Sequence, residues 1–475
     1  MAETALDTSP VDLTNCDIEP IHIPGSIQPH GALLALDVSM TQVLRHSANA
    51  AALLGLEGEI NGTPIGQFVG ERPTHDLRNA LGTMGDTSRP AMLFGQPGPN
   101  GGRFDIAVHR HRSTVIVEFE AVEAGSEPPL QLSRTMVDRI ARLDTFDTLV
   151  KVTARLVRSV LGYDRVMIYQ FQADGSGKVI AEARRGDLES FLGQYFPFSD
   201  IPRQARALYL KNTIRIISSA SYEPVRLKPQ YDLSGEPLDL SYAHLRSFSP
   251  IHLEYLRNMG VGASMSISII VDGELWGLIA CHHYAPRTLP MGLRVAAELF
   301  GQFFSLHLGA LREKRRLKVA TEARAYLDHV LTLTTQHDVR DVLTERVADF
   351  SRLMPNDGVA LYIDGQWSAY GSAPSPADCI ALARFIGGVV DGSIWASHSL
   401  VQQLPAAAAY AQTAAGVLAI PLSQTPHDYL LFFRKELTQT LDWAGNPNKT
   451  YETSPLGDRL TPRKSFAIWK QTVQQ

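Results

Sequence analysis

Between residues 195 and 283 the chain gathers arginines, hydroxyl residues and histidines among aromatic ones. Tyr195-Phe196-Pro197-Phe198-Ser199-Asp200-Ile201-Pro202 is a proline-bracketed turn with a single acid. Arg215 lies in the apparent strand Asn212–Ile217. Arg246, Ser249 and His252 fall within His244–Leu256. Ser264, Ser266 and Ser268 alternate and so share one face of a strand, and His282 and His283 follow another strand. This assortment suits a planar ligand that bears carboxylates. Arginine gives charge-assisted, bidentate contacts and serine adds hydrogen bonds.

The same residues also have structural uses. A histidine in an apolar run commonly satisfies the core, alternating serines commonly bond the sheet, and adjacent His282 and His283 point to opposite faces if extended. Cys281 with His282 and a remote residue matches no familiar zinc spacing. Gly177-Lys178 lacks the earlier glycine of a phosphate loop, and Val179 replaces its Ser/Thr. Cys16 lies in a polar segment, which makes it an exposed thiol open to electrophiles.

The elements that must position these groups read as three mixed modules. Residues 20–120 carry a strand at Gly31–Asp37, a capped short helix over Ser47–Gly55 and two period-2 strands at Phe104–His111 and Ser113–Glu120. Glu123–Pro129 is a linker. A helix over 143–161 precedes the hairpin of Arg165–Phe171 with Lys178–Ala183, and a second hairpin turns at Asp272-Gly273. From about 290 to 336 a helical period predicts one helix on the order of 65 Å long, fit to join two domains and support a dimer. Its basic run Arg312–Lys318 reads as a solvated face. A third module spans 337–435, with strands at Gly358–Asp364, Gly416–Leu422 and Asp428–Arg434. The polar stretch 436–462 then reads as functional or disordered, with Trp443 within it.

Composition sets the outer bounds. The 475 residues are 44% hydrophobic and 20% charged, which excludes a wholly disordered chain. Lys+Arg 44 against Asp+Glu 49 gives a net charge of -5 and argues against nucleic-acid binding by bulk charge. No apolar run reaches the roughly 20 residues of a membrane span, and the acidic, polar N-terminus is not a signal peptide. Three cysteines without a CxxC pair make no disulfide framework. The expected location is the cytoplasm.

Several long motifs resemble the bacterial phytochromes (bacteriophytochromes). Cys16-Asp-Ile-Glu-Pro-Ile-His-Ile-Pro-Gly-Ser-Ile-Gln-Pro-His-Gly is similar to their N-terminus. Leu245–Val261 and Trp276–His283 are similar to their chromophore pocket. Trp443-Ala-Gly-Asn-Pro and Pro462-Arg-Lys-Ser-Phe are similar to two marks of the tongue. The resemblance implies an α+β chain, with mixed α/β antiparallel sheets and an N-terminal figure-of-eight knot. Its photosensory core has three domains, PAS (1–122), GAF (131–311) and PHY (312–475, incomplete at its C-terminus, tongue about 430–468), joined by the long helix.

By position, the resemblance implies that Cys16 attaches the bilin and that the Asp200 backbone carbonyl faces the pyrrole nitrogens, next to Ile201. His252 lies by the inner pyrroles. Arg215 and Arg246 clamp propionates, assisted by Tyr209, Ser264 and Ser266. His282 meets the ring D carbonyl, and Tyr169, Phe196 and Tyr255 wall that ring. Ile27 sits in the knot, and Arg463, Ser465 and Trp443 signal through the tongue, Arg463 as a partner of Asp200. Plant and cyanobacterial relatives carry their cysteine just before the pocket histidine, where Ile251 stands here. That pattern implies biliverdin IXα and a red/far-red photoreceptor that is itself no enzyme. It implies a homodimer acting on a downstream histidine kinase or response regulator absent from this chain. Phe198 departs from the family's small residue and is expected to alter the pocket edge or the packing of the tongue. The alternatives are a GAF regulatory module for a cyclic nucleotide or haem, and a tetrapyrrole-modifying enzyme, for which no acid/base or metal constellation stands out.

Overall fold

The computed structural model describes residues 19–86, 89–98, 101–122, 129–334, 338–390, 392–423, 428–447, 451–454, 457–460 and 463–474. Cys16 and linker residues 123–128 lie outside the described residues. The chain divides into two compact units, Met1–Leu311 with Asp442–Trp469, and Arg312–Leu441 with Lys470–Gln475.

The first unit opens with β1 (Ser26–Ile27), β2 (Gly31–Asp37) and β3 (Val43–Ser47). Helices α1 (Ala50–Leu54), α2 (Ile65–Val69) and α3 (Glu71–Gly82) follow, then β4 (Ala91–Pro97), β5 (Arg103–His111) and β6 (Thr114–Ala121). Ser47 does not cap α1 as expected. Its hydroxyl accepts from Leu33 N–H at 3.0 Å inside the sheet. Asn49 holds the cap position without a side-chain cap bond, and Gly55 ends the helix in the left-handed region at φ 67°.

Next come α4 (Pro129–Ile140), α5 (Phe146–Leu161), β7 (Arg165–Phe171), β8 (Gly177–Arg184), β9 (Tyr195–Phe196), α6 (Arg203–Lys211) and β10 (Ile214–Ile217). They are followed by β11 (Val225–Lys228), α7 (Pro250–Asn258), β12 (Ala263–Val271) and β13 (Glu274–His283). Thr145 caps α5 by accepting from Thr148 N–H, and Gly162 closes it. The buried stripe Leu149, Val150, Ala154, Val157 and Leu161 joins the core that covers β7, β8, β12 and β13. Asp272 and Gly273 both take positive φ, 55° and 80°, as a two-residue hairpin turn requires. His282 and His283 do not follow β13 but are its last two residues, because pairing with β12 continues to Ala263.

The strands of the second module run β10-β12-β13-β7-β8-β9. The first sheet runs β1-β11-β3-β2-β6-β5-β4, so it borrows β11 from the second module. Segment 25–28 is held on both edges by one excursion of that module. Leu227 N–H donates to Gly25 O at 2.9 Å, and Gln28 N–H donates to Leu245 O at 2.7 Å. Ile27 is fully buried there among Leu33, Ile116, Leu227, Leu240 and Leu245.

Helix α8 (Met291–Thr334) is one element of 44 residues. Its early apolar residues Ala297, Phe300, Phe304 and Leu308 bury in the first unit's core, each aromatic or aliphatic side chain contributing about 1.5–3 kcal/mol. Arg312–Lys318 is exposed throughout.

The second unit holds β14 (Gly358–Ile363), β15 (Gln366–Gly371), β16 (Trp395–Ser397), β17 (Gly416–Pro421) and β18 (Tyr429–Arg434). They form an antiparallel sheet ordered β15-β14-β18-β17-β16, covered by the helix Pro376–Val389. The polar stretch that follows carries strands among its described residues. It contains β19 (Thr438–Ala444) and the hairpin of β20 (Tyr451–Ser454) with β21 (Gly457–Leu460). Trp443 of β19 pairs in parallel with Tyr195 of β9.

Candidate functional site

A cavity of about 90 Å³ opens on one face of the second sheet. Tyr169, Phe196, Asp200, Ile201, Tyr209, His252, Tyr255, Ser264, Ser266 and His282 line it. Every pocket residue expected from the sequence is there except Arg215 and Arg246, which stand behind the wall. Met167, Leu256, Met259, Leu278 and Ala280 complete the lining. Sequence reasoning missed these five because apolar residues at strand and helix spacing read as core.

The aromatic corner is built by β7 and β9. Tyr169 meets Phe196 edge-on, with ring centroids 5.9 Å apart. Gly177 of β8, paired with Phe171, leaves the room that the Tyr169 ring occupies. Tyr255 projects from α7 and donates to Asp200 Oδ2 at 3.0 Å, while its ring meets Phe466 edge-on. His252, one turn earlier on α7, stacks on Tyr255 with an interplanar angle of 14°. Burial, aided by Arg246, lowers its pKa to about 4, so the imidazole is neutral near pH 7.

Asp200 closes a three-residue 3-10 turn, Phe198–Asp200. Arg463 donates to its Oδ2 through Nη2 and to Ala444 O through Nη1. Asn258 Nδ2 holds Arg463 O at 3.2 Å. Burial works to lower the Arg463 pKa, but the Asp200 carboxylate and Tyr255 hydroxyl raise it above the ordinary arginine value. Gly445, at φ 85°, turns the chain after Trp443 beneath the Ser465 carbonyl. Ser465 is exposed, and its hydroxyl accepts a long bond from Ala467 N–H at 3.4 Å. Phe198 is not on the cavity wall. It packs over Gly175 and under the Arg206 guanidinium, 4.5 Å from the ring centroid.

The two arginines differ. Arg215 is saturated by the protein. Nη1 donates to Asn212 O at 2.6 Å and Ser268 Oγ at 2.7 Å, Nη2 reaches Ser266 Oγ at 2.9 Å, and its Cζ lies 3.8 Å over the Tyr209 ring. Ser268, which does not line the cavity, thus shares Arg215 with Ser266. Arg246 donates through Nη1 to Ile21 O at 2.7 Å, and its buried Nε has no hydrogen-bond partner among the described residues. Burial lowers both to about 10, so both stay charged.

His282 faces the cavity with Nδ1 buried and unpartnered among the described residues, and burial lowers its pKa to about 3. His283 points the other way, toward Asp164 Oδ2 at 2.9 Å. A linear tetrapyrrole fits these groups. The cavity is mostly apolar, two buried cations stand beside it, and the orphaned His282 Nδ1 and Arg246 Nε await polar partners.

Residues 16–122 match the PAS fold, 145–310 the GAF domain and 323–475 the phytochrome region. A bacteriophytochrome of Xanthomonas campestris pv. campestris is 33% identical over 98% of this chain and 76% of its own length. Cyanobacterial phytochrome B of Nostoc sp. is 35% identical over 98% of this chain, which spans 63% of that relative. The solved photosensory core module of the Stigmatella aurantiaca phytochrome superposes with a TM-score of 0.85 at 37% identity, covering 98% of this chain and 94% of that one. Fold and site thus define a PAS–GAF–PHY photosensory module. The chain belongs to the bacteriophytochrome family.

Proposed function

We propose that this chain is a red/far-red photoreceptor module that holds biliverdin IXα in the cavity between β7, β12, β13 and α7, covalently through Cys16. The observation that carries the reading is the conjunction in one cavity wall of Asp200, Tyr255, His252 and His282, with Arg463 bonded to Asp200. When bound, the bilin supplies light absorption and isomerisation about its ring D methine bridge.

The protein's own groups have separable tasks. Arg246 offers its spare Nε to a propionate, and Tyr209, Ser264 and Ser266 flank the same side, with Arg215 held behind them. His252 and His282, both neutral, can donate from one nitrogen and accept at the other. Tyr169, Phe196 and Tyr255 exclude water around ring D, and Ile201 packs beside them. A change there acts on Asp200 through Tyr255, and so on Arg463. The signal passes through the tongue, where Trp443 and Ser465 flank the Arg463 contact, and along α8 to an output module, a histidine kinase. The module works as a cytoplasmic homodimer along α8. Among the described residues no helix is long and apolar enough to cross a membrane.

The direct test adds biliverdin to the purified chain and records spectra before and after red light. A reversible red/far-red difference spectrum is expected, and its absence overturns the reading. Cys16→Ser is expected to bind the bilin but lose the adduct that survives denaturation. Zinc-induced fluorescence persisting on a denaturing gel of that variant excludes Cys16 as the attachment site.

A further inference from the structure

A second cavity, of about 220 Å³, lies where β5 and β6 meet the N-terminal segment and the start of α8. His30, Asp105, Glu120 and Thr288 supply its polar wall, and Pro290 and Met291 close it. None of them lines the cavity described above.

Arg294, which does not line the cavity, keeps Nε and Nη1 buried without hydrogen-bond partners among the described residues. Arg294 Nη2 donates to Glu120 Oε2 at 2.5 Å and fixes the carboxylate. The other oxygen, Oε1, is buried without a hydrogen-bond partner among the described residues, and the Glu120 side chain is only 7% exposed. His30 Nδ1 lies 3.1 Å from Ser218 Oγ. The Ser218 hydroxyl also lies 3.4 Å from Gln28 Oε1, an oxygen identified as such because the Gln28 amide nitrogen donates to Ile216 O. Gln28 Oε1 also accepts from Ser218 N–H at 3.1 Å, so it is satisfied whichever way the hydroxyl turns. His30 Nε2 is buried 3.8 Å from Glu120 Oε2 and has no hydrogen-bond partner among the described residues. Burial keeps His30 below its ordinary pKa, hence neutral near pH 7. Asp105 spends Oδ1 on Gly95 N–H at 2.8 Å and forms no ion pair among the described residues.

A buried carboxylate oxygen without a partner, beside a second carboxylate, calls for a donor. We propose that this cavity binds a small nitrogen cation of the alkylammonium or guanidinium class, its N–H groups shared between Glu120 Oε1 and the Asp105 carboxylate. Charge points the same way. Arg294 answers Glu120, and Asp105 adds a further negative charge. The described residues contain no group of three His, Cys, Asp or Glu able to hold a metal ion. An anion would meet two carboxylates.

The test is calorimetric titration of the full chain with methylguanidinium and with methylammonium, against sodium chloride at equal ionic strength. Saturable one-to-one binding of the nitrogen cations, and none of sodium, is expected. Glu120→Gln should weaken it at least tenfold. That variant also disturbs Arg294, so Asp105→Asn, which preserves the Gly95 contact, is the second arm, with the same expected loss and unchanged circular dichroism. No saturable binding, equal binding of sodium, or an unaltered affinity in Asp105→Asn overturns the proposal and leaves a site for ordered water.

Discussion

Arg463 and Asp200, 263 positions apart in sequence, share a charge-assisted hydrogen bond in which both side chains are nearly buried, 4% and 5% exposed. The same carboxylate oxygen accepts from Tyr255. One atom therefore reads both the cavity wall and the segment Asp442–Trp469. Removing one member of a buried pair leaves an uncompensated charge and costs about 3–5 kcal/mol. Arg463→Ala is expected to retain bilin uptake but lower the yield of the far-red-absorbing state or speed its decay. Photoconversion and dark reversion identical to the parent would remove this pair from signalling.

The arginines behind the wall should separate in their effects. Arg246 has a spare buried donor and Arg215 has none. A hydrogen bond to a charged group contributes roughly 1.5–3 kcal/mol. Arg246→Ala should therefore weaken biliverdin uptake at least tenfold at little cost in melting temperature. Arg215→Ala should do the reverse, since it strands Ser266, Ser268 and the Asn212 carbonyl. Equal affinity losses in the two variants would refute the distinction.

Gly177 is required by its neighbour. A Cβ there would collide with the Tyr169 ring. Overpacking of this kind costs about 1–3 kcal/mol. Gly177→Ala should move Tyr169 and shift the absorption maximum of the assembled pigment, while Gly186→Ala, which meets nothing within 4 Å, should not. An unshifted spectrum in Gly177→Ala counts against Tyr169 as a cavity wall.

Four buried histidines set an acid limit. His109, His244 and His282 are lowered to about 3 and His252 to about 4, in each case first by burial. Between those values and 6.5 the unfolded chain binds protons that the folded chain refuses. Stability is then complete above pH 6.5 and falls as pH drops, by about 1.4 kcal/mol per unit for each histidine. Glu118 works oppositely. Burial raises it to about 7, so the folded state holds its proton between 4.5 and 7. Four against one leaves net destabilisation in acid. Melting curves at pH 7.5, 6 and 5 should show the first unit losing stability ahead of the second. A flat profile would show that these histidines are not held neutral.

Much of this was legible in the sequence, for reasons particular residues make plain. The alternation of Ser264, Ser266 and Ser268 placed three hydroxyls on one face, whereas His282 comes opposite Ser264 only because an irregularity between Ile269 and Ile270 shifts the register set by the Asp272-Gly273 turn. Which serines meet Arg215 was not legible. The register pairs Arg215 with Ser266, and the guanidinium then reaches onward to Ser268 rather than back to Ser264. The strand at Thr438–Ala444 was hidden because its pairing partner, Tyr195, lies far away and its polar residues carry no clean period. The link from Arg463 to Asp200 came from family resemblance, since no local pattern announces a pair so distant.

The clasp around Ile27 also has a history in time. Ile27 pairs with Val225, about 200 residues later, so at synthesis rates of 5–20 residues per second it waits about 10–40 s for its partner. For that interval β3 lacks β11 as its neighbour and the apolar side chains around Ile27 lack their cover. Assembly of the first unit is thus paced by the ribosome: β2, β3, β5 and β6 can fold early, but the segment carrying Gln28 is locked only after the excursion to Leu245 has emerged. Chains arrested before that point would present an open sheet edge, the feature that draws nascent proteins into aggregation.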